Sequence, residues 1–576
     1  MSGKDIPPGV VPASPADSAP TARTDAASAV AGPAAGTGAE TVPTGAENVP
    51  PTIPALVRAA ADRYGEREAV VEGRTRISYA ALGERVERAA AACLASGLEP
   101  GDRVAVWAPN TLDWIVAALG AVTAGGVLVP LNTRFKGAEA AYVLGKTRAR
   151  LLFITGTFLG TSYVASLRRA TAEGLGEGPL PGLPHLREVV VLAQDAPASF
   201  RTWTDFLAGG AAVSREAVHA RAARVTPSAP CDLTFTSGTT GHPKGAVITH
   251  GQTLRVYTAW SELAGLEEGD RYLIVNPFFH TFGYKAGIIA CLLRGATMIP
   301  QPVFNVETAL AHIATERVSV LPGPPTLHQA LLDHPARRQH DLSALRLVVT
   351  GAAVVPLELV ERLRAELRVG TVLTAYGLTE ASGTVTMCRR GDPAETVAGT
   401  SGRAIPGTEV KVVSPAGAPQ PPGEPGEVLV RGYHVMSGYF EEPDETAEVF
   451  TPDGWLRTGD IGVLDAEGNL RITDRIKDMF IVGGFNAYPA EIEQLLSRHP
   501  DISEAAVIGV PDSRLGEVGK AFAVRHPGAT VTADDLIAWS RREMANYKVP
   551  RDVEFVAALP RNASGKVVKT RLRSRR

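Results

Sequence analysis

The sequence predicts an α/β protein: a large N-terminal domain of α/β layers carrying a β subdomain, then a small α+β C-terminal domain. Three observations carry that expectation. From Thr52 onward, short β-branched runs alternate with helical patterns, and such alternation marks parallel layers whose sheet faces are covered by helices. Between about 405 and 470 the chain turns Gly- and Pro-rich with short strands, the pattern of an antiparallel subdomain. From about 475 the pattern changes again, into a segment of roughly 100 residues, long enough to be a separate domain.

Taken in order, residues 1 to about 50 are Ala, Pro, Gly, Thr and Ser with few large apolar side chains. Such a leader cannot bury enough surface to offset its ordering entropy and is expected to be disordered. Arg103–Trp107 reads as a strand, Trp114–Ala124 as a helix, and Val127–Pro130 as the strand after the Gly125-Gly126 turn. Further strands are expected at Leu151–Ile154, Val189–Leu192, Tyr272–Val275, Leu345–Val349 and Thr371–Thr374, several of them ending in Gly, Pro or Asn. Gly426–Gly432 is a strand of the β subdomain. In the last segment, Ile492, Leu495 and Leu496 share one face of a helix over Ala490–Ser497. Three short strands are expected there, around Ala505–Val510, Ala521–Val524 and Val553–Val556.

Composition narrows the function classes. An apolar fraction of 45%, a charged fraction of 21% and a formal net charge of −3 describe an ordinary globular chain with no polycationic face for nucleic acid. Cys93, Cys231, Cys291 and Cys388 lie far apart and form no CxxC pair, which argues against a disulfide framework or structural zinc and fits a reducing, cytoplasmic setting. No run is long and apolar enough for an integral membrane segment, and the N-terminus has no basic start followed by an apolar core. A homodimer stays open.

The strongest local signal is Thr236-Ser-Gly-Thr-Thr-Gly-His-Pro-Lys-Gly245, directly after the apolar run Leu233–Phe235. Glycines let a backbone approach an anion closely; the hydroxyls, main-chain N–H groups and Lys244 supply donors and charge. Pro precedes the lysine and Gly follows it, so the spacing is not the Walker pattern of kinases and GTPases.

This stretch resembles the phosphate-loop motif of the adenylate-forming superfamily: acyl-CoA synthetases, luciferases and peptide-synthetase adenylation domains. Four more motifs follow in that family's order: Tyr376-Gly-Leu-Thr-Glu380, Thr458-Gly-Asp460, the stretch Asp474–Phe485, and Pro560-Arg-Asn-Ala-Ser-Gly-Lys566. The resemblance implies an N-terminal AMP-binding domain over 51–474, a hinge at 475–478 and a mobile C-terminal domain over 479–576. It implies that a carboxylate attacks the α-phosphate of ATP, that pyrophosphate leaves, and that coenzyme A then takes the acyl group.

By the same resemblance, Thr236, Ser237, Thr239 and Lys244 cradle the β- and γ-phosphates, with Gly238, Thr240 and Gly241 as further nucleotide-binding residues of the same motif. Glu380, with Thr236, holds Mg2+, a hard ion that prefers oxygen. Thr379 contacts the α-phosphate. Tyr376 stacks on adenine, Gly377 is a nucleotide-binding residue beside it, and Gly351, Ala352 and Ala353 form the adenine wall. Asp460, whose carboxylate suits a ribose diol, and Arg475 hold the ribose. Lys566, which taken alone is a solvated tail lysine, bridges the substrate carboxylate and α-phosphate. His280, taken alone a core histidine, becomes the wall between acid and nucleotide. Lys477 is the hinge, and Gly483, Gly484 and Phe485 leave room for pantetheine.

The runs Asn276–Gly287, Leu321–Thr326 and Val372–Glu380 look closest to a narrower group, actinobacterial acyl-CoA ligases of the bicyclic indanedione-propanoate left from steroid-ring degradation. Lys285 then becomes a candidate contact for a polar group on the acid, against the plainer reading of an exposed or salt-bridged lysine. The alternatives are a general medium- or long-chain fatty acyl-CoA synthetase, an acyl-AMP ligase loading a carrier protein, and a non-catalytic nucleotide-binding regulator. The chain ends soon after Lys566, which favours free CoA, and the presence of Lys566, Glu380 and the phosphate loop disfavours the regulator.

Overall fold

The computed structural model describes residues 49–172, 180–193, 196–197, 199–236, 243–351, 355–475, 478–482, 485–512, 514–544, 546–562 and 566–574. Residues 1–48 of the expected leader lie outside them. The first described helix begins where the composition changes: the Thr52 hydroxyl caps the helix Ile53–Tyr64 by accepting the Ala55 N–H at 3.3 Å.

Two large sheets carry the N-terminal part. The first has nine strands in the order Arg403–Ala404, Thr386–Met387, Thr371–Tyr376, Leu347–Gly351, Val320–Pro322, Arg271–Ile274, Thr297–Pro300, Glu68–Glu72 and Thr75–Ser78. Its middle six strands are parallel, and antiparallel pairs close both edges. The second has seven strands in the order Lys244–Thr249, Pro230–Thr236, Val127–Pro130, Arg103–Trp107, Leu151–Ile154, Glu188–Val191 and Arg201–Thr202, parallel except for the first pair. The strands read as continuous apolar runs because both faces are covered. Beyond Asp113 the helix Leu112–Thr123 is buried on every face, as the apolar run Trp114–Val122 requires.

The expected β subdomain is a four-stranded antiparallel sheet of Thr408–Val413, Gly426–Gly432, Leu456–Leu464 and Leu470–Arg475. It is joined to the nine-stranded sheet through Gly402. Ser401 N–H donates to Leu470 O (2.7 Å), Leu470 N–H donates to Gly402 O (2.8 Å), and Arg403 bridges Asn469.

The C-terminal part has its own core, including Phe480, Ile492, Leu496, Val507 and Leu536. Here the expectation of three short strands needs correction. Ile502–Asp512 and Gly516–Arg525 are 11 and 10 residues long and pair antiparallel along nearly their whole length. Asp552–Phe555 adds to the second of these in parallel.

Gly402 sits at φ +71°, and a Cβ there would lie 2.1 Å from the Met387 carbonyl carbon and the Cys388 nitrogen. Gly402→Ala is expected to lower stability by about 3 kcal/mol, since neither strain nor backbone clash can relax without moving the edge strand. The check is a fall in melting temperature against the parent chain.

Candidate active site

Four neighbouring parallel strands of the nine-stranded sheet, Arg271–Ile274, Val320–Pro322, Leu347–Gly351 and Thr371–Tyr376, send their carboxyl ends to one edge. Ligands of open α/β sheets bind at such an edge. The sequence-predicted residues His280, Gly351, Tyr376, Thr379 and Glu380 all follow or end these strands.

Thr236 and Lys244 come from the other sheet. They are cross-strand partners of an antiparallel pair, so at Lys244 the chain enters the strand Lys244–Thr249 and not a helix. No helix N-terminus therefore follows this loop directly. Ser237, Gly238, Thr239, Thr240 and Gly241 lie outside the described residues, as do Ala352, Ala353, Lys477, Gly483 and Gly484. Arg475 and Phe485 are described only as strand residues.

Glu380 lies in the short 3-10 turn Thr379–Ala381. Its Oε1 accepts the Thr236 hydroxyl at 3.3 Å and the Tyr439 hydroxyl at 2.9 Å. Burial, together with the neighbouring Glu380 charge, pushes the Tyr439 phenol well up, so it stays a neutral donor. The Lys244 ammonium stands 5.5 Å from the Tyr439 ring centroid. Tyr439 thus touches both the expected metal carboxylate and the expected phosphate lysine, and the sequence reading missed it.

The segment carrying Tyr439 is clamped from both sides. Val247 N–H donates to Gly438 O at 3.0 Å, Phe440 N–H to Gly245 O at 2.8 Å, and Met436 N–H to Glu380 O at 2.8 Å. Gly377 cannot carry a side chain, because a Cβ would lie 2.2 Å from Gly383 O.

The structure also joins the two expected nucleotide contacts. Tyr376 Oη donates to Asp460 Oδ2 at 2.6 Å, linking the sheet edge to the β subdomain. Asp460 itself is buried.

His280 begins a tight turn. Its Nδ1 accepts the Phe282 N–H at 3.2 Å, which leaves the proton of the neutral ring on Nε2. Burial pushes its pKa down to about 4. Another residue missed in the sequence, Asn110, holds the segment before it. The Asn110 amide donates to Ile274 O (3.3 Å) and Asn276 O (2.8 Å) and accepts the Phe278 N–H (2.8 Å). Asn276 in turn donates to Pro322 O at 3.0 Å.

Lys285 is neither exposed nor open to a substrate. It is fully buried, with Nζ 2.8 Å from Asp232 Oδ2, so its reading as an acid contact is corrected to that of a buried ion pair.

Lys566 is exposed on a C-terminal hairpin that Asn562 closes twice: its N–H donates to Lys566 O (2.8 Å), and its Oδ1 accepts the Lys566 N–H (2.9 Å). The four cysteines are buried and unbridged. Among the described residues no helix is long and apolar enough to cross a membrane, and no group of three metal-ligating side chains occurs.

Two family models match the chain: AMP-binding enzyme over residues 57–440 and AMP-binding enzyme C-terminal domain over 491–566. The chain belongs to this family of adenylate-forming enzymes, and it is an acid–CoA ligase that uses ATP. A ligase of Rhodococcus jostii (strain RHA1), named 3-[(3aS,4S,7aS)-7a-methyl-1,5-dioxo-octahydro-1H-inden-4-yl]propanoyl:CoA ligase, is 49% identical over 526 residues, 91% of this chain and 98% of its own. A protein of the same name from Mycobacterium tuberculosis (strain ATCC 25618 / H37Rv) is 49% identical over 522 residues, with the same coverage. Among solved structures, the anthranilate CoA ligase AuaEII in complex with anthranoyl-AMP superposes with a TM-score of 0.80 at 27% identity, covering 91% of this chain and 97% of its own.

Besides His280, the buried His250, His328 and His434 are pushed by burial down to about 4. A folded value below the unfolded one favours the neutral ring in the folded protein. The resulting stability is present above about pH 6.5 and is lost as pH falls toward 4, up to about 3 kcal/mol for each fully buried ring. Melting temperature is therefore expected to drop steeply from pH 6.5 to pH 5, and His328→Leu is expected to flatten that slope. An unchanged slope would refute the assignment.

Proposed function

We propose that this ligase activates a bicyclic indanedione-propanoate derived from steroid-ring degradation, forming its acyl-adenylate and then its CoA thioester. The observation that carries the reading is the near-complete, 49% identical match to two ligases named for that acid. Thr236, Glu380, Tyr376 and Asp460 gathered at one sheet edge supply a matching nucleotide site.

In the first half-reaction a carboxylate oxygen of the acid attacks the α-phosphorus, the new acyl–O–P bond forms, and the bond to pyrophosphate breaks. Charge grows on phosphoryl oxygens, so the chain's contribution is position and electrostatics. Lys244 and the 237–241 loop hold the β- and γ-phosphates, with Thr379 at the α-phosphate. Tyr376 stacks on adenine, with Gly351 at the wall, and Asp460 and Arg475 hold the ribose. Lys566 bridges carboxylate and α-phosphate. His280, kept neutral, is the wall on the acid side.

Glu380 fits Mg2+: a single carboxylate oriented by two hydroxyls is an all-oxygen donor set, and this ion keeps water and phosphate as its remaining ligands. When bound there, Mg2+ neutralises charge on the leaving pyrophosphate.

In the second half-reaction the CoA sulfur attacks the acyl carbonyl and the bond to AMP breaks. The 479–576 domain turns about 475–478, with Lys477 as the hinge, so that Lys566 leaves the 51–474 domain. Gly483, Gly484 and Phe485 then face the pantetheine.

A pyrophosphate-release screen of steroid-derived, aryl and aliphatic acids, with and without CoA and with products read by mass, is expected to give the highest kcat/KM for the indanedione-propanoate and a thioester only with CoA. A clear preference for a plain fatty acid would overturn the substrate. Lys566→Ala is expected to slow adenylation by at least about 100-fold while sparing thioester formation from supplied acyl-AMP. Equal loss of both half-reactions would contradict the domain turn.

A further inference from the structure

The fully buried pair of Asp232 and Lys285 has no part in the reaction as derived above. Asp232 Oδ2 lies 2.8 Å from Lys285 Nζ and accepts the Cys231 thiol at 3.0 Å; Oδ1 accepts the Thr234 hydroxyl at 2.9 Å. Among the described residues the Lys285 ammonium makes no well-aligned hydrogen bond, so its contact with Asp232 is Coulombic. His250 feels both charges and is kept neutral by its own burial, and the buried Tyr257 and Tyr284 phenols, which feel Asp232, are raised by burial and stay neutral. An ion pair buried this deeply stabilises a fold no better than well-packed apolar side chains of similar volume, and its best-attested use is to fix register.

Both partners sit where register matters. Along the strand Pro230–Thr236, side chains alternate between faces, so Asp232, Thr234 and Thr236 share one face. Thr236 is the residue that reaches Glu380. Lys285 belongs to the π-helical segment Tyr284–Ile289, which starts four residues after His280. A π turn holds one residue more than an α turn, and such turns gather at functional sites.

The segment is constrained along its length. Asn110 fixes its front at Phe278. A Cβ on Gly283 would lie 2.2 Å from Pro277 O, and Tyr272 Oη donates to Ala286 O at 2.8 Å. His280 therefore lies between two anchors, Asn110 from the end of one strand of the seven-stranded sheet and Asp232 from within another.

We infer that Asp232 and Lys285 are positioning residues: their ion pair locks the π-helical register that sets the His280 wall against the strand ending in Thr236, so that acid and ATP are presented to each other in one alignment. The inference rests on His280 walling the acid site.

The test is the double variant Asp232→Leu/Lys285→Met, made together so that no lone buried charge remains, in the full chain. Pyrophosphate exchange is expected to show the KM for the acid rising about 10-fold, while the KM for ATP stays within about 2-fold and the melting temperature holds. Unchanged acid KM at a maintained melting temperature overturns the inference; so does a parallel worsening of both KM values with a lowered melting temperature, which is the mark of structural support alone. Should that double variant fail to fold, Asp232→Asn/Lys285→Met, which keeps the shape at position 232 and again leaves no lone buried charge, is expected to move acid KM in the same direction, and its failure to do so is equally decisive. His280→Ala separates the two claims. No effect of it on acid KM sinks the wall reading; an effect there without one in the pair variants sinks the positioning role.

Discussion

A parallel sheet buried on both faces has no room for polar chemistry except where its strands stop. That constraint organises this enzyme. Each strand must turn at its carboxyl end, and every turn frees backbone groups that need partners once they are covered. Here the partners come from elsewhere in the chain: Asn110 serves three backbone groups between Ile274 and Phe278, and Asn276 serves the end of the next strand at Pro322. The turns are thereby rigid before any ligand arrives, and the side chains they carry inherit that rigidity.

The surroundings of Glu380 follow from the same logic with charge added. Its carboxylate is oriented by two hydroxyls, Thr236 and Tyr439. A guanidinium in either place would orient it as well but would cancel its charge. Neutral donors fix the geometry and leave the negative charge for a cation. Burial supports this by keeping the Tyr439 phenol protonated. The backbone clamp from Gly438 to Phe440 matters because Tyr439 is aimed by its own strand contacts, not by the carboxylate it serves.

The sequence was most legible where a short β-branched run ended in a breaker. Arg103–Trp107, Val127–Pro130, Leu151–Ile154 and Gly426–Gly432 have the bounds that their patterns suggested. The expected nucleotide residues could be named because ordered motifs tie them together; the structure pairs Thr236 with Glu380 and Tyr376 with Asp460. The hairpin across Thr236 and Lys244 was not legible, since Lys-Gly opening a strand has no β-branched signature. The length of Ile502–Asp512 and Gly516–Arg525 was hidden by glycine and proline within them. Asn110, Tyr439 and the partner of Lys285 were illegible for a deeper reason. Their roles are contacts across long stretches of chain, and nothing local in an Asn, a Tyr or a Lys distinguishes a buried anchor from a surface side chain.

The C-terminal part bears on where a turn of that domain must be taken up. Asp478 accepts from Arg573 at 3.0 Å, and Lys569 meets Glu493 at 2.8 Å, so the terminal helix Lys569–Arg573 ties both ends of this part together. The hairpin carrying Lys566 leads straight into that helix and is closed by Asn562. Asp478 is therefore bound to the body that carries Lys566. A rotation that withdraws Lys566 while keeping these ion pairs must place its backbone change before Asp478. On the proposed domain turn, the hinge at 475–478 would narrow to its first three residues, with Lys477 at the boundary, and Lys566 and its scaffold would leave the nucleotide as one piece.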